Sequence, residues 1–417
     1  MFKSILSTAT FKQSQITIIG TVINGGLGAL FYILLARFLG PSDFGLIIVS
    51  IAILTMVADI VDFGTNTGLV RYVSANQYST EALKFLKLGI KFKLIIWVLV
   101  LVIGFLISPF IADVIFNKTE LVTPLRLVMM GVGGALLFSY ATASLQAFQR
   151  YFIWSLVNIS TNLLRLIFII FLFFSSGLNL ITGLTAYIIM PFFGFSMALL
   201  FLPMRKVIAV RNESSIAKQF FHYNFTVAAF TIIAAISSRL DTFISARLLN
   251  AFEIGLYGAA SQMVSVIPQI VSALGVVAAP KFASFQNDKQ MMAYFKKLQL
   301  LVSGIAVIGI LIIPISIYLI PIIFGPQYYL AITPFIILFL AMLIFLISIP
   351  VHSSIIYYFG KPNVFVWVSV GHLLIIGILG YFLISAFGIV GASVTVLIGM
   401  IFNLLGPLGW LLIKLKR

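Results

Sequence analysis

Ala36-Arg37-Phe38-Leu39-Gly40-Pro41-Ser42-Asp43-Phe44-Gly45-Leu46 closes one long apolar run and opens the next. The same punctuation returns 210 residues later, where Ala246-Arg247-Leu248-Leu249 is followed by Glu253 and Gly255-Leu256. At that offset Phe85, Lys87 and Leu88 match Phe295, Lys297 and Leu298, and Thr123-Pro124 matches Thr333-Pro334. One such match in an apolar chain carries little. Several at one spacing, close to half the length, mark an internal repeat with halves 1–206 and 207–417.

Around that junction lie runs long enough to cross a bilayer, which takes about 20 residues. They fall near 13–38, 42–69, 92–112, 121–148, 151–175 and 180–203, then near 219–247, 251–280, 298–323, 329–358, 363–387 and 390–413. Composition demands the same. The 417 residues are 62% hydrophobic and 9% charged, with a mean hydropathy of +1.18, whereas soluble proteins carry roughly 25% charged residues. The polar surface is too small to cover a water-soluble globule. The net charge of +16 is scattered in short clusters between apolar runs, a pattern of membrane topology rather than of nucleic-acid binding. The absence of cysteine excludes disulfides, thiolate metal sites and cysteine nucleophiles. Lys3 and Lys12 precede a long first run with polar interruptions, so that helix is expected to be retained rather than cleaved.

With a cytoplasmic N-terminus, 20 of the 26 Lys and Arg fall on the cytoplasmic side. Only Arg37, Lys118, Arg126 and Arg247 lie opposite, and Arg165 and Arg239 fall inside runs. The positive-inside rule then puts both termini in the cytoplasm. Six helices per repeat make both halves enter from one side, related by an axis along the membrane normal. The expected fold is an all-α integral membrane protein of about twelve transmembrane helices in two pseudo-symmetric six-helix bundles.

Polar groups at membrane depth usually face a bundle interior or a wet cavity, and spacings of three or four residues place them on one helix face. The first run carries Gln13, Thr17, Thr21 and Asn24, and the second Thr55, Asp59, Asp62 and Asn66. The fourth has Ser139, Thr142, Gln146 and Gln149, the fifth Ser155, Asn158, Asn162 and Arg165, and the eighth Gln262, Ser265, Gln269 and Ser272. The seventh is richer still, with His222, Asn224, Arg239 and Asp241 among others. The third, sixth, ninth and twelfth runs are nearly apolar and are expected outermost. A polar cavity between the halves is expected to be lined by the first, second, seventh and eighth runs, with the fourth, fifth, tenth and eleventh contributing.

Most hydroxyls and amides can be read as bonds across helices, worth about 0.6 kcal/mol each. Charges are harder to place that way. Arg165 and Arg239 are either paired with Asp59, Asp62 or Asp241, or contact substrate. Arg239 and Asp241 stand two apart and point to different faces. Asp59 and Asp62 share a face, which suits a proton-binding pair. Arg71, Lys84, Lys87, Lys91 and Lys93 are expected at anionic headgroups, and His352 and His372 in packed surroundings. No Walker A sequence, metal-ligand cluster or nucleophile elbow occurs, so ATP hydrolysis is not supported and the chain is not expected to be an enzyme or to need a cofactor.

Leu34-Leu35-Ala36-Arg37-Phe38-Leu39-Gly40-Pro41-Ser42-Asp43-Phe44-Gly45, then Asp62-Phe63-Gly64 and Arg71, resemble the oligosaccharide-lipid flippases for O-antigen, capsule and related polysaccharides, within the multidrug, oligosaccharidyl-lipid and polysaccharide exporter superfamily. Asp241, Ile254-Gly255-Leu256-Tyr257 and Ala259-Ala260 extend the resemblance into the second half. It covers the chain in helix number and order, although the sharp motifs occupy about a fifth of it. The resemblance implies a MATE-like bundle pair in the bacterial inner membrane, exporting undecaprenyl-diphosphate-linked repeat units by alternating access in lipopolysaccharide or capsule synthesis. Under that reading Arg239 and Arg165 are the candidate contacts for diphosphate or acidic sugar, while the polar stripes offer Asn158, Asn162, Asn24, Gln146, Gln262 and Gln269 as cavity candidates and Asp59, Asp62 and Asp241 as candidates for ion coupling or charge pairing. A monomer, H+ or Na+ as coupling ion, and a polysaccharide polymerase and chain-length regulator as partners complete the expectation. Two alternatives stand beside it, a cation-coupled multidrug exporter and a membrane polymerase or acyltransferase.

Overall fold

The first helix, α1 (Ala9–Asp62), has 54 residues, far more than one crossing requires at about 1.5 Å per residue. Gly40 breaks it with φ +79°, a conformation that glycine enters without steric penalty, and Pro41 offers no N–H to continue the ladder. In the computed structural model, ten helical stretches among the described residues are long and apolar enough to cross a membrane. Two of them, of 48 and 52 residues, contain a turned glycine, Gly40 or Gly388, and supply two crossings each. The chain therefore makes the expected twelve crossings in an all-helical fold, with no strand among the described residues.

The structure describes residues 9–415 apart from Tyr78 and Asn212, without the side chains of residues 9–14, Ile18, Thr226, Phe230 and Val276. Lys3, Lys416 and Arg417, and the side chains of Lys12 and Gln13, lie outside this description.

The chain forms two compact units. The first comprises residues up to Leu39 and Leu46–Arg239. It holds most of α1 with α2 (Thr65–Ala75), α3 (Thr80–Phe110), α4 (Val122–Ala147), α5 (Tyr151–Phe174), α6 (Leu180–Leu199), α7 (Met204–Ala209) and α8 (Ser214–Ser237). Its core gathers Leu69, Phe85, Tyr140, Val157 and Phe220. The second unit comprises Gly40–Gly45 and Leu240–Arg417, with α9 (Leu240–Leu248), α10 (Ala251–Val264), α11 (Val266–Ala283), α12 (Asp288–Ile312), α13 (Ser316–Phe324), α14 (Ile332–Ile347), α15 (Ile349–Ser353), α16 (Val364–Leu374) and α17 (Gly380–Leu415). Phe282, Met291, Val302 and Leu346 form one of its cores.

These units differ from the halves 1–206 and 207–417. Phe220 carries α8 into the core of the first unit, so the seventh run divides between units at Arg239. The halves describe the repeat in sequence; the units describe packing. The sixth run, expected outermost, is also better packed than the fifth. In α6, Leu184, Ala186, Pro191, Gly194 and Ala198 are buried, because small residues on α4 and α6 admit large partners: Phe192 lies against Gly134 and Phe138 against Gly194. The third run behaves as expected, with Ile95, Val98, Val102 and Leu106 exposed on α3.

Two runs read as continuous are broken at depth. α1 ends at Asp62 because Phe63 and Gly64 turn left-handed, with φ of +54° and +69°. The Asp62 carboxylate receives the Thr65 hydroxyl at 3.0 Å and the Asn66 N–H at 3.3 Å, which tends the amides freed at the start of α2. The seventh run stops at Ser237 and resumes at Leu240. There the Ser238 hydroxyl donates to the Ala235 carbonyl at 3.0 Å, the side-chain competition that weakens serine in helix interiors.

Candidate functional site

The breaks put Asp62 and Arg239 at interrupted helix ends, where membrane transporters commonly build ion and substrate sites. Around them the first unit collects two polar clusters.

The first is centred on Lys93, which is fully buried. Its ammonium is ion-paired with Asp62 Oδ1 and donates to Asn66 Oδ1 at 2.9 Å and Ser139 Oγ at 3.2 Å. Three helical segments thus meet on one cation. Lys93 was expected at the headgroups, and the structure corrects this. It stands two residues from Lys91, hence on a different face of α3, and a half-buried carboxylate and two further acceptors compensate the burial of its charge. The spacing was the available signal. Lys84 and Lys87 instead clamp the end of α7 and the segment after it: Lys84 pairs with Glu213, and Lys87 donates to the carbonyls of Ile208 at 2.8 Å and Val210 at 2.6 Å.

The second cluster surrounds Arg165 on α5. Its guanidinium donates to Asn162 Oδ1 at 2.9 Å, and Asn162 Nδ2 donates in turn to Asn24 Oδ1 at 2.5 Å. The charge lies 4.3 Å from the Tyr187 ring centroid and 5.4 Å from that of Phe31. Such contacts contribute about 2 kcal/mol or more when desolvated. Its Nε is buried without a hydrogen-bond partner. Tyr32 joins these rings, its centroid 5.5 Å from that of Phe31 and 6.4 Å from that of Tyr187. Asp59 is exposed. Phe31, Tyr32 and Tyr187 were missed because aromatic residues in an apolar run carry no polar signal.

Among the described residues, ion pairs within bonding distance involve Lys84 with Glu213 and Lys93 with Asp62; Arg165 and Arg239 have no such carboxylate. Asn158 is satisfied within its own helix, donating to the Trp154 carbonyl at 2.8 Å. Gln146 is half-buried.

The remaining predicted residues belong to the second unit. Asp241 receives the Tyr257 hydroxyl at 2.6 Å, and His372 packs against Gly399. Gln262 is half-buried and Gln269 exposed. His352 is packed edge-on to Phe365, 4.8 Å between centroids, with Nε2 at 2.9 Å from the Asn403 carbonyl. Among the described residues no group of three or more His, Asp or Glu is arranged to hold a metal ion.

Comparison with known proteins gives a consistent picture. Solved structures similar to this chain include a lipid II flippase, MurJ, in an inward closed conformation, at 15% identity and TM-score 0.77 over 96% of this chain and 87% of that one. An inward-facing multidrug resistance MATE family transporter of the MOP superfamily matches at 13% identity and TM-score 0.75, over 96% and 98%. The eukaryotic MATE transporter AtDTX14 matches at 13% identity and TM-score 0.64, over 97% and 96%. At these identities the likeness establishes the fold, that of a multi-pass membrane protein. No curated protein sequence matches. The family model described as "Polysaccharide biosynthesis protein" matches residues 11–286, about two thirds of the chain, and the protein accordingly belongs to the polysaccharide biosynthesis protein family.

Proposed function

We propose that this protein is a flippase carrying undecaprenyl-diphosphate-linked oligosaccharide repeat units from the cytoplasmic to the outer leaflet of the bacterial inner membrane by alternating access. One observation carries the reading. Arg165 and Arg239 lie within membrane-spanning stretches with no carboxylate at ion-pair distance among the described residues, while the buried ammonium of Lys93 is already neutralised. A guanidinium held by an amide and two rings is pre-oriented for the planar, bidentate capture of phosphate oxygens. Asn24, Asn158, Asn162 and Gln146 in the first unit, and Gln262 and Gln269 in the second, supply donors and acceptors suited to sugar hydroxyls. An inside-negative potential drives an anionic headgroup outward by about 2.3 kcal/mol per charge per 100 mV, so chemistry at a cofactor is unnecessary. Asp59, Asp62 and Asp241 are the positions for charge pairing or for coupling to H+ or Na+. A polymerase and a chain-length regulator would act on the delivered units.

A cation-coupled multidrug exporter is the second reading, favoured by Asp241 with the Tyr257 hydroxyl on it. Deleting the gene separates the two. A flippase predicts lipid-linked repeat units accumulating on the cytoplasmic leaflet. Normal surface polysaccharide with altered drug tolerance overturns that reading.

A further inference from the structure

Between α16 and α17 lies a cavity of about 470 Å³ lined by Asn363, Trp367, Val368, Phe402, Gly406 and Trp410. This volume is in the range of small-molecule sites, roughly 300–1,000 Å³. Its α17 wall is a single stripe: Phe402, Gly406 and Trp410, then Lys414, recur every four residues and stand one above another. One end is closed. The Phe402 ring packs so tightly on Gly371 that a Cβ there would fall 2.5 Å from Cζ.

The other end is basic. Phe359 packs against Trp410 with 5.8 Å between centroids, and Leu415 joins Phe359 and Val364 in one apolar cluster, so the chain segments that carry Lys361 and Lys414 meet at this end. Both lysines are exposed, and among the described residues neither has a carboxylate at ion-pair distance. The α17 wall of the cavity, from Phe402 to Trp410, spans about 12 Å of helix, most of the roughly 15 Å depth of one leaflet's hydrocarbon. Trp367, 77% exposed, suits the interface between hydrocarbon and headgroups.

We propose that this groove holds one acyl chain of a resident anionic phospholipid, with the phosphate received by Lys361, Lys414 and the Asn363 amide. An apolar slot about 12 Å deep takes most of the length of a single chain within one leaflet. Two uncompensated ammonium groups at its mouth favour an anionic headgroup over a zwitterionic one, as basic pockets between transmembrane helices do. The proposal is independent of what the protein transports.

The test uses the delipidated full-length protein in detergent, titrated with phosphatidylglycerol or phosphatidylcholine of the same chains and read by native mass spectrometry. Wild type should retain phosphatidylglycerol preferentially, and K361Q and K414Q should each lower that retention about five-fold. Chain occupancy is read by quenching of tryptophan with phosphatidylglycerol brominated in its acyl chain. Wild type should lose more fluorescence than a W367F/W410F variant, and G406F should abolish the difference. A Cβ on Gly406 meets only Val368 Cγ2, at 3.8 Å, so the new ring can enter the slot without moving backbone. If G406F fails to fold, the exposed lysine variants decide alone. Equal retention of both lipids, or unchanged retention in K361Q/K414Q, overturns the proposal. So does displacement of phosphatidylglycerol by a polyprenyl phosphate but not by dioleoyl phosphatidate, which would give the groove to a different lipid.

Discussion

Gly45 and Gly255, 210 residues apart in the sequence, pack backbone against backbone within the second unit. A Cβ on Gly45 would lie 2.8 Å from the Gly255 nitrogen and 2.1 Å from the Ala251 carbonyl oxygen, and one on Gly255 would lie 1.8 Å from the Pro41 carbonyl oxygen. Those neighbours are main-chain atoms and cannot rotate aside. Gly45→Ala and Gly255→Ala should therefore each destabilise the protein by at least the 1–3 kcal/mol typical of overpacking. Gly304, with open space around its Cβ position, is the control: Gly304→Ala should be neutral or gain about 0.5–1 kcal/mol. Thermal unfolding in one detergent compares all three, and equal midpoints for Gly45→Ala and Gly304→Ala would refute the contact.

The Lys93–Asp62 pair makes a second prediction. Removing one partner from a buried pair leaves an uncompensated charge, at a cost of about 3–5 kcal/mol. Lys93→Met should show that loss, and the double variant Lys93→Met/Asp62→Asn should recover much of it, which a double-mutant cycle measures as coupling. If the pair also takes part in ion coupling, Asp62→Asn alters the pH dependence of transport in proteoliposomes. An unchanged profile would make the pair purely structural.

The twelve crossings were legible because a bilayer imposes length and hydrophobicity on every helix, and because Gly40-Pro41 is a chemical stop. The break at Asp62-Phe63-Gly64 was not, since Phe63 at positive φ is disfavoured and is held there by its surroundings. Asn24, Asn162 and Arg165 were found from their spacing, and the structure brings them together. Lys93 was misassigned because proximity to a run's end suggested a headgroup contact, whereas facing direction decides burial. Tyr187 and Tyr32 matter through tertiary placement, to which periodicity in one helix is blind.

A third prediction concerns pH at the membrane surface. The hydrogen bond from Lys84 holds the Glu213 carboxyl below its ordinary value, helped by the Ser215 hydroxyl and by the Lys84 charge. A carboxyl depressed in the folded state contributes stability above its unfolded pKa, and that contribution disappears as pH falls through the folded value. The tie between Lys84 and the segment 204–214 should therefore hold at neutral pH and release in acid below the usual glutamate range. Hydrogen exchange in 204–214, corrected for intrinsic rate, should step up on acidification. Lys84→Gln should remove the step, with Lys87 still holding the carbonyls of Ile208 and Val210. A step that survives in Lys84→Gln would assign the release to another group.

The last prediction separates charge from geometry at Arg165. Arg165→Lys keeps the positive charge but loses the planar fork that bonds Asn162 while stacking on Tyr187 and Phe31. If substrate phosphate is captured by that fork, the variant should fold normally yet lose about ten-fold in binding of the lipid-linked substrate, roughly the weight of one strong charge-assisted hydrogen bond. Tyr187→Phe keeps the ring beneath the cation and should bind substrate within a few-fold of wild type. Tyr187→Leu removes it and should fall by about five-fold to thirty-fold, the equivalent of a cation–π contact of about 1–2 kcal/mol. Substrate binding to purified protein, with thermal unfolding of each variant alongside, distinguishes loss of contact from loss of fold. Wild-type binding by both Arg165→Lys and Tyr187→Leu would remove Arg165 from the substrate path and leave it a structural tie between α1, α5 and α6.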